Sequence, residues 1–76
     1  MKTKISITRH AKNRMRWRGI TFKNIKSVLE KPAKTDRGEF GRINLYGIIN
    51  KKWLKVVCRK EQDKIIIISA LWGGKI

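Results

Sequence analysis

The sequence predicts an α+β fold of order β-α-α-β-β-β, with two N-terminal helices packed on a curved antiparallel sheet. Three observations carry that expectation. Apolar residues recur at helical spacing between residues 9 and 31, with a threonine before each helix and a glycine or proline after it. From residue 42 onward, runs rich in β-branched residues alternate with short polar turns. The chain has 76 residues and is 41% hydrophobic, enough for one layer of helix on one sheet. A single domain over residues 1–76 is the expected organisation.

The elements follow in order. "KISI" (4–7) alternates polar and apolar residues and reads as a first strand. Thr8 caps a helix from Arg9 to Arg18, and Gly19 stops it. Thr21 caps a second helix, "FKNIKSVLEK", in which Phe22, Ile25, Val28 and Leu29 form the inner face. Pro32 follows its end. "KTDRGEFG" is polar and contains glycine, so a loop or an edge hairpin is expected there. "RINLYGII" (42–49) is a strand; Asn50, Lys51 and Lys52 turn the chain; "WLKVVCRK" (53–60) is the next strand. "EQD" turns again. "KIIIISALW" (64–72) lacks alternation, which fits a central strand covered on both faces, or an interface. "GGKI" reads as a loose tail.

Charge is the strongest global signal. Twenty Lys and Arg stand against five Asp and Glu, giving +15 and a pI near 10.9. Self-repulsion of that size calls for a partner of opposite sign. Nucleic acid comes first, an acidic protein second and an anionic membrane third. The basic residues run along the whole chain, so they belong to a folded surface rather than a tail. The lone Cys58 excludes an intrachain disulfide and sits in an apolar run as a small core residue. No segment has the roughly 18 consecutive apolar residues of a membrane span. The basic N-terminus precedes no long apolar stretch, so no signal peptide is expected and a cytoplasmic location is the default.

The helix at 9–18 holds the chain's only histidine among Arg9, Lys12, Arg14, Arg16 and Arg18. At about 100° per residue, Ala11 and Met15 form the core stripe and Lys12 and Arg16 point away to solvent. His10, Arg14 and Arg18 form a row on the shoulder between the two. That row has two readings. In one, His10 caps or packs the helix start, and Arg14 and Arg18 lie over the core edge, pairing with Glu30 or Glu39. In the other, the row is a catalytic site.

The chemistry available to such a site is narrow. Two-metal nucleases need several convergent carboxylates, and one His and one Cys cannot make a zinc site within one chain. No cofactor is expected. RNA cleavage without metal needs only a proton carrier and cations on the phosphorane, because the 2′-hydroxyl is the nucleophile. His10, Arg14 and Arg18 suit those roles, with Lys12 and Arg16 steering the polyanion. Arg42, Lys55 and Arg59 on the strands would grip the flanking backbone. Tyr46 falls on the sheet face opposite Ile43 and Leu45, where its ring either stacks on a base or closes the end of a small core. Trp53 and Trp72 have the same two readings.

"HAKNRMRWRGIT" (10–21), with His10, Arg14 and Arg18-Gly19-Ile20, resembles the opening signature of the domain of unknown function 4258 family. The amphipathic second helix ending near Pro32 and the apolar "IIIISALW" are similar to its later parts. That family is similar in turn to the RelE/ParE toxin superfamily. The resemblance implies a RelE/ParE-like fold and a small RNA-directed toxin, a metal-independent endoribonuclease (mRNA interferase) neutralised by an acidic antitoxin. RelE-type ribonucleases place basic and tyrosine residues near the C-terminus; "LWGGKI" offers Lys75 and no tyrosine. The alternative expectation is a non-catalytic nucleic-acid-binding or regulatory module, and a third is a toxin aimed at an acidic protein.

Overall fold

Residues 4–75 are described by a computed structural model of the chain. They form β1 (Lys4–Ile7), α1 (Arg9–Arg18), α2 (Phe22–Glu30), β2 (Lys34–Arg37), β3 (Arg42–Ile49), β4 (Lys52–Glu61) and β5 (Lys64–Lys75). The five strands make one sheet in the order β1-β5-β4-β3-β2. Both helices lie on the same side of it, α1 over β5 and α2 over β3.

Local chemistry sets the helix ends. The Thr8 hydroxyl accepts from the Ala11 amide at 3.1 Å and satisfies one orphan donor of the first turn. Gly19 closes α1 in the left-handed region at φ 66°, a conformation that disfavours any side chain. Thr21 and Asn24 cap α2 reciprocally, each side chain accepting from the other's amide at 3.1 Å. Thr8 also extends the β1 ladder, its amide donating to the Ile67 carbonyl at 3.2 Å.

The core lies between the helices and the sheet. Ala11, Met15, Ile25 and Val28 meet Leu54, Val56, Cys58, Ile67 and Ala70. The closest approach is at Gly47 of β3, where an added Cβ would stand 2.7 Å from Val28 Cγ2. Glycine there lets α2 sit directly on the strand. Burial pushes the Cys58 thiol above its ordinary value against an opposing pull from Lys60, so it is a core residue and not a poised nucleophile.

The structure corrects the expected fold in several places. The order is β-α-α-β-β-β-β, because "KTDR", expected in a loop or an edge hairpin, is a fifth strand at the sheet's edge, paired antiparallel with β3, Thr35 opposite Leu45 and Asp36 opposite Asn44. As an edge strand it has little apolar face to bury, so it carries no alternating signal. The sheet is mixed rather than antiparallel: β1 runs parallel to β5, Lys4 opposite Lys64 through Ile7 opposite Ile67. Most of the chain separates these two strands, so no tight turn forces them antiparallel.

Strand β5 is an interior strand, paired with β1 on one side and β4 on the other as expected, but helices cover only one of its faces. Its unbroken apolar run arises because Ile65 and Ile67 point to the helices, Ile66 to the opposite face, and a register shift falls beside Ile68. It also extends through Gly73 and Gly74, in place of the expected loose tail; Ile76 lies outside the described residues. Lys52 and Glu61 belong to β4 rather than to the turns, and α2 ends at Glu30, with Lys31 as its cap. Phe22, expected in the core, is 47% exposed at the first turn of α2, where only Ile25, Val28 and Leu29 reach the sheet.

Candidate nucleic-acid interface

The face of the sheet that carries no helix concentrates the chemistry. Strand alternation sends Ile43, Leu45, Leu54, Val56 and Ile67 to the core and their neighbours to this other face. Tyr46 of β3 stands there, in register with Lys34 of β2 on one side and Lys55 of β4 on the other. The two ammonium groups lie 5.5 and 5.9 Å from its ring centroid, within range of a cation–π attraction. Burial, and then the neighbouring Asp36 carboxylate, hold the Tyr46 phenol above its ordinary value. At neutral pH it keeps its proton, which is directed at the Asp36 carboxylate, and two cations from adjacent strands flank the ring. The two ammonium groups are the donors this cluster can offer a phosphate oxygen.

Beside this cluster Trp53 presents an indole from β4. Gly73 leaves the space for it: a Cβ at that position would stand 2.9 Å from Trp53 Cβ. Lys34, Tyr46, Trp53, Lys55, Leu71 and Gly73 line a cavity of about 300 Å³, with an apolar floor and a basic rim. In the other direction along β3, Asn44 donates to Asp36 Oδ1 at 2.9 Å, which fixes the β2–β3 pairing. Arg42 stands opposite Arg59. Arg59 bonds Glu61 Oε1 at 2.7 Å in an exposed ion pair that contributes little to stability.

The structure divides the residues singled out by sequence into two groups. Arg42, Tyr46, Lys55 and Arg59 share the helix-free face. His10, Lys12, Arg14, Arg16 and Arg18 all lie on α1, which packs on the opposite face. His10, Lys12, Arg14 and Arg16 are exposed. Arg18 is half-buried, and its Nη1 donates to the Ala70 carbonyl at 2.8 Å while the Trp72 indole donates to the Arg18 carbonyl at 2.6 Å. Those two bonds lock the end of α1 to β5, so Arg18 is held by the fold rather than paired with Glu30 or Glu39. Trp17, at 88% exposure, shares a shallow dip with Asn13, Arg14 and Arg18.

Sequence reasoning did not find Lys34, which sits in a segment without strand periodicity and gains its position only by pairing opposite Tyr46. Among the described residues, no three of His, Cys, Asp and Glu gather as a metal site would require. Neither helix is long and apolar enough to cross a membrane.

Residues 7–72 match the family described as Domain of unknown function (DUF4258). No curated protein and no solved structure matches the chain.

Proposed function

We propose, for a chain that belongs to the DUF4258 family, the role of a small RNA-directed protein that grips a single strand on the helix-free face of its sheet. The observation that supports this reading is the Lys34–Tyr46–Lys55 cluster beside the half-buried Trp53. Cations alone would serve any polyanion; cations set among aromatic rings on an open sheet suit unpaired bases, which stack while their phosphates are neutralised. Titration of a labelled single-stranded RNA at several salt concentrations tests it. The expected log–log slope is about −0.7 per phosphate contacted. Lys55→Ala should flatten it by about that amount, and a salt-independent affinity would refute the reading.

A second reading adds cleavage, as a toxin-like metal-independent endoribonuclease of a toxin–antitoxin pair, in keeping with the resemblance to the RelE/ParE superfamily. The exposed His10 and Arg14 on one flank of α1 favour it. His10 takes the 2′-hydroxyl proton as O2′ bonds phosphorus, and returns a proton to O5′ as the P–O5′ bond breaks. The Arg14 guanidinium meets the phosphorane charge. An acidic antitoxin is the expected partner of so basic a chain. Inducing the wild type and His10→Ala in cells and mapping RNA ends separates the two readings. Cuts in chelator-treated extracts that vanish in His10→Ala support cleavage, and equal patterns from both remove His10 from any mechanism.

A further inference from the structure

The turn between β2 and β3 carries a feature that folding alone does not require. Glu39, Phe40 and Gly41 close it, with the Gly38 amide donating to the Arg42 carbonyl at 2.9 Å and the Arg42 amide to the Glu39 carbonyl at 3.1 Å. Phe40 sits in the left-handed region at φ 58°. Glycine or asparagine takes that conformation at lower cost, and a bulky aromatic there is an outlier. The ring gains little in return from packing, because Phe40 is 82% exposed. A strained, solvent-facing aromatic at a hairpin tip is poorly suited to stability and well suited to contact.

Its place in the fold points to what it contacts. Tyr46, Asn44 and Arg42 alternate along β3 on the helix-free face, with Lys55 and Arg59 opposite on β4, and the strand leads back to Phe40 at its tip. Arg37 and Arg42 flank the turn and line a shallow cavity there. From the Lys34–Tyr46–Lys55 cluster to Phe40, β3 presents Tyr46, Asn44 and Arg42 in turn, with the Asp36 carboxylate of β2 bonded to Asn44 midway. The strand from Tyr46 to Arg42 spans about 13 Å, and the turn carries Phe40 beyond it. The strand part equals roughly four nucleotides at the stacked spacing of about 3.4 Å, and the turn adds one or two.

We propose that the helix-free face and the β2–β3 turn form one continuous track for about four to six nucleotides of single-stranded RNA, ended by Phe40 as a stacking platform. This inference rests on the RNA-binding reading above and adds the length of the site and its terminal residue. Phosphates lie along Lys55 and Arg42, and the last base stacks on the Phe40 ring.

The test is fluorescence anisotropy with oligouridylates of about three, six and nine nucleotides, the range of small single-strand sites, on the full chain and on Phe40→Gly, Phe40→Trp and Lys55→Ala. Thermal melts are recorded for each variant. Phe40→Gly is expected to melt no lower than wild type, because the left-handed strain is relieved. It should bind the nonamer about tenfold more weakly and the trimer unchanged, while Phe40→Trp keeps wild-type affinity. Equal nonamer affinity for wild type and Phe40→Gly, with Lys55→Ala weakened, would overturn the track and leave the binding reading standing. No binding by the wild type would overturn both. A lower melting temperature for Phe40→Gly would show that the ring packs on the fold, and would also overturn the inference.

Discussion

The outer side of α1 and the helix-free face of the sheet are both basic, and they are basic in different ways. On α1, Arg9, Lys12, Arg14 and Arg16 project into water, and only Arg18 is tied down, by its bond to the Ala70 carbonyl. On the sheet, Lys34 and Lys55 are held against the Tyr46 ring by strand register. A mobile surface cation attracts polyanions from a distance and is screened by salt. A cation fixed beside an aromatic has less freedom to lose on binding and is aimed at one place. On the proposed RNA-binding reading, the larger number of charges belongs to a steering surface and the smaller number to a gripping one.

The following changes break or sharpen that contrast, from the largest effect to the smallest. Lys34→Ala with Lys55→Ala should weaken single-stranded RNA binding about 30- to 100-fold at physiological salt, because two phosphate contacts are lost. Lys12→Ala with Arg16→Ala should weaken it less than about fivefold, mostly through the association rate. Equal losses in the two pairs would erase the distinction.

Gly47→Ala drives a methyl into Val28 and should destabilise the fold by about 1–3 kcal/mol. The melting temperature would drop by about 4–8 °C for each kcal/mol, and the change is readable without any RNA. Arg18→Ala should cost about 1–2 kcal/mol in chemical denaturation, since it orphans the Ala70 carbonyl at a half-exposed site. Arg14→Ala, four residues away on the same helix, should stay within about 0.5 kcal/mol of wild type.

The smallest effect is on pH dependence. The Cys58 thiol and the Tyr46 phenol both have raised values in the fold. Above the ordinary thiol and phenol ranges the unfolded chain loses these protons first, so stability is full below those ranges and falls as pH rises through them. The urea midpoint should therefore drop from about pH 8 to about pH 10.5, and Cys58→Val should flatten part of the fall.

The sequence made some of this legible and hid the rest for physical reasons. Caps are local chemistry, so Thr8, Gly19 and Thr21 marked the helix boundaries without any knowledge of the fold. Strand β3 showed its alternation and placed Tyr46 opposite Ile43 and Leu45, as found. Strand β2 gave no such signal, because an edge strand of Lys, Thr, Asp and Arg buries almost nothing of its own. Its identity comes from the Asp36–Asn44 bond and the ladder to β3. Phe22 shows the opposite failure: an aromatic at the right helical spacing lies too early in α2 to reach the sheet. The row of His10, Arg14 and Arg18 was legible as neighbours on one helix, yet their periodicity did not reveal that Arg18 faces a strand carbonyl.

By itself the sequence determined the charge, the two helices with their caps, and the apolar stripes that require one sheet beneath them. These follow from propensity and periodicity, which act over a few residues. Only the tertiary structure decided that β1 pairs parallel with β5, that the sheet stands between the α1 cations and the strand cations, and that Lys34 meets Lys55 across Tyr46. Those facts depend on contacts between residues far apart in the chain. Their energies come from shared burial and strand register, which no local stretch contains.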